Sequence, residues 1–305
     1  MTLFLTLLTK IIPLYGMIAM GYIGGKYLNI SRTDIATVVI YLFVPVVFFG
    51  AVATTPLTPQ YLALPFVALF MSAIMAFSVF ALAGKIYQDS QKNLIGMAAC
   101  TANTGYFGMP IFLALYPETH VGVYLLAILG ITISESTIGY YLLARGNFTV
   151  RDSLIKLARM PTIYAVAAGL MFNLSGFTMP EIFMETHAKF RGGYIILGMM
   201  MIGLGLSGIQ HFIFGKRFLS LLLIQKFIGW PLLAFAIIAL DRHTLQLFDD
   251  LARTCILIFS TVPLAANTVA FATTLNIHPE KAAAAVMLST LVALVYIPLF
   301  YAIAL

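Results

Sequence analysis

Long apolar runs separated by short polar clusters are the feature of this sequence that most restricts how the chain can fold. Of its 305 residues, 61% are hydrophobic and only 9% are charged. A soluble domain needs about 25% charged residues, so this composition excludes a water-facing shell. In lipid, only helices or closed barrels satisfy every backbone hydrogen-bonding group. Because the runs are long and lack the alternation of barrel strands, we predict an all-α membrane protein.

Ten membrane spans are predicted when the chain is divided at its polar clusters. About 20 apolar residues are needed to cross roughly 30 Å of hydrocarbon. The predicted spans are 6–28, 35–53, 61–84, 93–116, 121–144, 160–175, 192–210, 218–240, 251–275 and 281–304. The first span is not preceded by the positively charged segment of a signal peptide, so we expect it to be retained in the mature protein.

Lysine and arginine residues are distributed unequally between the two sets of predicted loops. One set carries 12 of the 17 basic residues. The other set carries the remaining 5, which are Lys10, Lys189, Arg191, Arg242 and Arg253. Because cytoplasmic loops are enriched in basic residues, the first set is predicted to be cytoplasmic. Both termini are then predicted to lie outside the cytoplasm. The protein is expected to reside in the cell inner membrane. The chain has a net charge of +6 but no run of basic residues, so it is not expected to bind nucleic acid.

The longest basic loop, from Arg145 to Arg159, divides the chain into the halves 1–150 and 151–305. Each half contains five predicted spans, and an odd number gives the second half the inverted orientation. This arrangement is typical of inverted-repeat transporters. Spans 1 and 6 also share a proline and a glycine eight residues apart: Pro13 and Gly21, and Pro161 and Gly169.

Spans 4 and 9 each carry a proline beside small and amide side chains. Span 4 reads TANTGYFGMP from residue 101 to 110, and span 9 reads STVPLAANT from residue 260 to 268. Because proline removes a backbone donor and crowds the preceding turn, we predict breaks near Gly105–Pro110 and Pro263 that meet near the membrane midplane. The N-terminal ends of broken helices favour anionic groups such as a carboxylate. The candidate substrate-binding residues are Asn103, Thr104, Gly105, Pro110, Ser260, Pro263, Asn267 and Thr268.

The alternative for these two spans is purely structural. Proline is common in membrane helices, and Asn and Thr side chains often join neighbouring helices by hydrogen bonds. Two prolines at corresponding positions of the halves, each near an Asn-Thr pair, favour the binding site over two unrelated kinks.

The segments NTGYFGMP, PLAANT and PLYGMIAMG resemble the auxin efflux carrier family, which includes bacterial permeases and the plant PIN auxin carriers. The resemblance implies two inverted five-helix repeats in which broken helices 4 and 9 cross. It also implies a scaffold of helices 1, 2, 6 and 7 and a transport domain of helices 3–5 and 8–10. Asn103, Pro110, Pro263 and Asn267 match the crossing. The implied substrates are small organic anions, either auxin-like carboxylates or dicarboxylates such as malonate, and carriers of this plan often form homodimers.

Glu135 is the one acidic residue placed well inside a predicted span. An intramembrane carboxylate is costly and is therefore a functional candidate, although it could simply bond Thr132, Ser134 or Ser136. In the family this position more often carries an amide or a small polar residue. A carboxylate here therefore leaves open whether transport is simple uniport or is coupled to an ion. Lys226 is predicted at a similar depth, about 12–14 Å from the cytoplasmic ends. It could pair with Glu135 or extend to the interface, and both residues are candidate coupling residues.

A secondary transporter for a small organic anion, working by alternating access, is the predicted function. The alternative is a proton- or sodium-coupled antiporter or symporter of the same plan, but spans 4 and 9 lack the carboxylates expected for direct cation binding at their crossing. An enzyme is not expected, because no histidine is predicted inside a span and Glu135 has no acidic companion. No metal or cofactor is expected, since Cys100, Cys255 and the five histidines lack ligand spacing. Composition does not exclude a channel, but no ring of charged residues and no repeated filter sequence indicates one.

Overall fold

The computed structural model describes residues 2–144, 151, 155, 158–209 and 213–304, and every regular element in these residues is helical. The helices are α1 Thr2–Tyr27, α2 Arg32–Thr54, α3 Pro59–Ile86, α4a Gln91–Ala99, α4b 104–115, α5 Glu118–Leu143, α6 Pro161–Leu174, α7 Glu181–Ser207, α8 Lys216–His243, α9a Asp250–Thr261, α9b Asn267–Thr274 and α10 Pro279–Ala304. We call residues 100–103 the first break and residues 262–266 the second break. Most of the predicted loop from Arg145 to Arg159 lies outside the described residues.

Seven helices are long and apolar enough to cross a membrane, namely α1, α2, α3, α5, α7, α8 and α10. α6 is apolar but has only 14 residues, and α4 and α9 are each divided into two shorter helices. The described part of the chain contains no strand. The predicted class, an all-α membrane protein, is confirmed.

α7 begins at Glu181, whereas the sequence predicted a span beginning only at residue 192. The additional turns carry polar side chains that find partners inside the protein. His187 is buried, with Nε2 2.9 Å from a backbone carbonyl oxygen of α2, and the buried Arg191 forms an ion pair with Glu118. Because these partners compensate the loss of water, the helix extends further than its hydropathy indicates. His187 therefore lies within a candidate membrane-spanning helix, as do His120 near the start of α5 and His243 at the end of α8.

Three of the π turns precede prolines inside helices, and they explain why those prolines do not interrupt the helix. A proline lacks a backbone donor and crowds the carbonyl four residues earlier, which a wider turn relieves. The pairs are Val39–Phe43 with Pro45, Thr104–Gly108 with Pro110, and Gln225–Gly229 with Pro231. The carbonyl oxygen of Phe227 accepts a hydrogen bond from the Tyr296 hydroxyl at 2.7 Å. The prediction of a break near Gly105–Pro110 is wrong in position, because the helix is interrupted earlier, at the first break.

The first two helices of each half pack reciprocally. α1 lies along α7, and α6 lies along α2. Gly21 of α1 faces the backbone of Met200, and a Cβ on Gly169 of α6 would lie 2.8 Å from the carbonyl oxygen of Phe49. Small residues allow two helix backbones to approach this closely. The two glycines of the repeated spacing therefore mark helix-packing positions. The helices α3, α5 and α10 pack around the interrupted helices.

Candidate functional site

The two breaks lie against each other. The backbone N–H of Asn103 donates to the carbonyl oxygen of Pro263 at 2.9 Å. The hydroxyl oxygens of Thr101 and Thr268 lie 3.0 Å apart. Four half-helix ends therefore meet at one place, and in a membrane each end needs partners for its free backbone groups.

Side chains from neighbouring helices bind the free carbonyl groups where α4a and α9a end. The indole Nε1 of Trp230 donates to the carbonyl oxygen of Ala99 at 3.0 Å, and the Ser72 hydroxyl donates to the next carbonyl oxygen at 2.7 Å. At α9a, the Lys226 ammonium donates to the carbonyl oxygen of Phe259 at 3.1 Å. The C-terminal end at the first break is thus bound by neutral donors, and the one at the second break by a cation.

The Glu135 side chain connects the two breaks. Its Oε1 accepts a hydrogen bond from the backbone N–H of Ala102 at 3.1 Å, and its Oε2 accepts one from Asn267 Nδ2 at 3.1 Å. In the second break, the backbone N–H of Leu264 instead donates to the Ser289 hydroxyl at 3.2 Å. Spans 4 and 9 carry no carboxylate of their own near the crossing, but α5 supplies one there.

Both buried charges lie in π turns, which are frequent at functional sites. Glu135 begins the turn Glu135–Gly139, and Lys226 lies in Gln225–Gly229. The ammonium of Lys226, fully buried, lies 4.2 Å from the centroid of the Trp230 ring. The ion pairs of the described residues do not include Glu135 with Lys226. The structure therefore shows neither a direct pair nor an extension of Lys226 to the interface.

A cavity of about 900 Å³ opens beside the crossing and is lined by both breaks together with α2, α5 and α7. Its volume falls in the range of small-molecule sites. The predicted residues that line it are Asn103, Thr104, Gly105, Glu135 and Asn267. The cavity thus brings residues of both halves of the sequence together at one surface.

Four predicted binding residues lie outside the lining of this cavity. Pro110 lies inside α4b, and the carbonyl of Pro263 bonds the first break. The Ser260 hydroxyl donates to the carbonyl oxygen of Leu257, and Thr268 contacts Thr101. Pro263 and Thr268 thus contact the first break, whereas Pro110 and Ser260 lie within single helices. The sequence could not separate these four from the lining residues, because both kinds lie within a few positions of the breaks.

The N-terminal ends of α4b and α9b both face the cavity, as the lining residues at their starts show. Such ends carry partial positive charge and free N–H groups. Asn103 is 3% exposed, and its Oδ1 accepts a hydrogen bond from the Phe107 N–H at 3.3 Å. Its Nδ2 has no hydrogen-bond partner in the part of the chain that the structure describes. Buried donors are nearly always satisfied, so the unpartnered Nδ2 makes Asn103 a candidate for ligand binding.

Sequence reasoning missed several residues of the site. Arg32 lines the cavity and donates from Nη2 to the carbonyl oxygen of Ala266 at 3.2 Å, whereas its place in the sequence indicates only membrane topology. Tyr106 and Tyr194 form another part of the lining, with ring centroids 5.0 Å apart. No local spacing links these residues, because they approach each other only when α2, α4b and α7 pack together.

Comparison with known families supports membrane transport. The family model described as membrane transport protein, the auxin efflux carrier domain, matches the chain twice, over residues 6–147 and 147–301. No curated protein matches the chain at a significant level. The two matches cover nearly the whole sequence, and the family is one of transporters and not of enzymes. The chain belongs to the membrane transport protein family, that of the auxin efflux carriers, and is a multi-pass membrane transporter.

Proposed function

We propose that the chain carries a small organic anion across the inner membrane by alternating access. The observation that carries this proposal is the pair of half-helix N-terminal ends beside the unpartnered Nδ2 of Asn103 in one cavity. Two helix dipoles and a buried amide donor together favour a carboxylate over a cation. The volume of about 900 Å³ accommodates either an auxin-like carboxylate or a dicarboxylate such as malonate.

The proposed architecture has ten membrane-spanning helices in two inverted repeats, residues 1–150 and 151–305, with both termini outside the cytoplasm. The two family matches, one in each half, support it. The reciprocal packing of α1 on α7 and of α6 on α2 also supports it, because a pseudo-two-fold axis would produce such an exchange. We propose that these four helices form a scaffold and that the others form the transport domain.

We further propose that the structure corresponds to an inward-facing state. The cavity lining includes Arg32 and Arg159, which lie at the predicted cytoplasmic ends of α2 and α6. On the opposite side, Arg191 of the proposed scaffold forms an ion pair with Glu118 of the proposed transport domain. Contact between the two domains on one side and a cavity on the other is the arrangement expected of alternating access.

A thermal-shift screen of the purified protein against mono- and dicarboxylates tests the binding of an anion. A ligand that binds the folded state raises its stability by mass action. Asn103→Ala should weaken the binding of any stabilising carboxylate by about 1–3 kcal/mol, since its amide donor is lost. Asn93→Ala is a matched control, because that buried amide donates to the carbonyl oxygen of Leu142 and lies outside the cavity lining. If Asn103→Ala binds as well as the unmodified protein, the solute site lies elsewhere.

Coupling to protons or sodium is the second candidate function, and the position of Glu135 favours it. This carboxylate lines the cavity and hydrogen-bonds both breaks, so a change in its charge would act directly on the crossing. Glu135→Gln should abolish uptake driven by a pH gradient and preserve solute exchange at equal pH, because exchange moves no net proton. The thermal-shift screen repeated with and without sodium distinguishes the two ions. Unchanged gradient-driven uptake in Glu135→Gln would show that Glu135 does not couple transport to protons.

A further inference from the structure

Arg32 occupies a position that does not favour a cation. It is the first residue of α2, directly after the N-cap Ser31, whose hydroxyl accepts a hydrogen bond from the N–H of Asp34 at 3.3 Å. The N-terminal end of a helix carries partial positive charge, so a guanidinium there is mildly repelled. The stability of α2 therefore does not explain why arginine stands at this position.

The Arg32 side chain is held in place by the packing of three helices. Its Nη2 donates to the carbonyl oxygen of Ala266 in the second break at 3.2 Å. A Cβ on Gly205 of α7 would lie 3.3 Å from Nε, so this glycine leaves the space in which the side chain crosses α7. The guanidinium thus connects α2 to the second break across the cavity that both line.

The charge of Arg32 lacks a counter-charge at ion-pair distance. No carboxylate among the described residues forms an ion pair with it, including Glu135, which lines the same cavity. Its Nε is buried and has no hydrogen-bond partner within the described ranges. A guanidinium has five N–H donors and binds carboxylates with two parallel hydrogen bonds. The other cation of the lining, Arg159, is exposed to solvent and so contributes less.

We propose that Arg32 selects the charge of the solute. A carboxylate in the cavity replaces the carbonyl of Ala266 as the partner of Nη2, and the guanidinium then turns so that its buried, unpartnered Nε–H also donates to this carboxylate. The solute thereby takes over a bond that links α2 to the second break, so its arrival loosens a contact between the proposed scaffold and transport domains. This inference rests on the proposed function, because it requires an anion in this cavity.

Two acid–amide pairs serve as probes: indole-3-acetate with indole-3-acetamide, and malonate with malonamide. Within each pair the shape is nearly constant and only the charge changes. In Arg32→Gln, we expect the Kd of the acid that binds the unmodified protein to rise at least about 10-fold, the lower limit for a lost hydrogen bond between charged groups. The Kd of the matching amide should change less than about 2-fold. Microscale thermophoresis or calorimetry on the detergent-solubilised protein measures both.

Arg217→Gln is the matched control, because it removes the same charge from an exposed position at the start of α8, outside the cavity lining. It should leave both Kd values within about 2-fold. Arg32→Lys keeps the charge without the planar fork and should give an intermediate loss for the acid. It also replaces Arg32→Gln if that variant does not fold.

The outcomes separate this inference from the function on which it rests. An equal loss for acid and amide, or no loss for either, overturns the role of Arg32 while the anion carrier stands. If the unmodified protein binds neither acid, the proposed function fails and the role of Arg32 fails with it. A selective loss for the acid in Arg32→Gln, absent in Arg217→Gln, supports the role of Arg32.

Discussion

The first break and the second break both need partners for their free backbone groups, but charged side chains bind them on opposite sides. At the first break, a backbone N–H is bound by a carboxylate, that of Glu135, and the carbonyl groups are bound by neutral donors. At the second break, the N–H of Leu264 is bound by the neutral Ser289, and the carbonyl of Phe259 is bound by the Lys226 ammonium. An anion thus binds the N–H side of one break, and a cation binds the carbonyl side of the other.

This difference shows that the two breaks are completed by different chemical groups. Each charge lies beside the half-helix end of opposite partial charge, where it is stabilised. At the second break a hydroxyl accepts the backbone N–H hydrogen bond that a carboxylate accepts at the first. A charged acceptor such as Glu135 is therefore not needed merely to complete the backbone hydrogen bonds. The carboxylate differs because it also lines the cavity and contacts Asn267 of the other half.

Glu135→Ala is expected to have the largest effect on stability. It leaves the N–H of Ala102 and the amide of Asn267 without their acceptor, and it leaves Lys226 as a buried cation without an opposite charge nearby. Each buried donor left without its acceptor costs about 1–3 kcal/mol, so the two together should cost about 2–6 kcal/mol. Chemical unfolding in detergent measures the free energy. A loss below about 1 kcal/mol would mean that water or another side chain takes over both hydrogen bonds.

The double variant Glu135→Gln with Lys226→Met is expected to be more stable than either single variant. Each single change should cost about 2–3 kcal/mol, because it removes one hydrogen-bonding partner and leaves the other charge buried. The double variant removes both charges, so its loss should be smaller than that of either single variant. A double-mutant cycle on the free energy of unfolding provides the coupling. Strict additivity would show that the charges act independently across the crossing.

Ser289→Ala tests the neutral hydrogen bond at the second break. It leaves the N–H of Leu264 without an acceptor, at an expected cost of about 1–2 kcal/mol. Ser289→Thr keeps the hydroxyl and should restore most of this loss. The effect must be smaller than that of Glu135→Ala, measured by the same unfolding experiment. If the two losses are equal, the charge at the first break has no special role in stability.

Much of the fold could be predicted because lipid imposes strong constraints on sequence. The scarcity of charge indicated membrane helices, and an intramembrane carboxylate such as Glu135 is so costly that it indicated a functional residue. Asn103 and Asn267 were predicted because amides beside a helix break are conspicuous in an apolar span. These signals are local, so a single sequence contains them.

Features that depend on packing could not be predicted. Pro110 indicated a break that lies instead at residues 100–103, because a π turn accommodates the proline. The contacts of Glu135 with both breaks, and of Arg32 with Ala266, join residues more than 30 positions apart. Nothing in the sequence near Ser289 indicates that it satisfies Leu264. Such pairs are defined only once the helices are in place.

Tyr296→Phe is expected to have the smallest effect on the free energy of unfolding, and it tests how the π turn that carries Lys226 is supported. The Tyr296 hydroxyl binds the carbonyl of Phe227, which adjoins Lys226 in the π turn before Pro231. Losing this donor should cost about 1 kcal/mol, since the ring and its packing remain. Tyr301→Phe is the control on the same helix, because its hydroxyl makes only a 3.5 Å contact with Thr261 and should cost less.

The comparison of Tyr296→Phe with Ser289→Ala locates the support of the second break. One outcome is that Tyr296→Phe lowers the free energy of unfolding more than Ser289→Ala does. In that case the π turn that carries Lys226 supports the second break more than the hydrogen bond from Leu264 to Ser289 does. The second half would then rely on the cation and its turn, just as the first half relies on Glu135. If Tyr296→Phe costs no more than Tyr301→Phe, the turn keeps its shape without the hydroxyl, and packing around Pro231 alone positions Lys226.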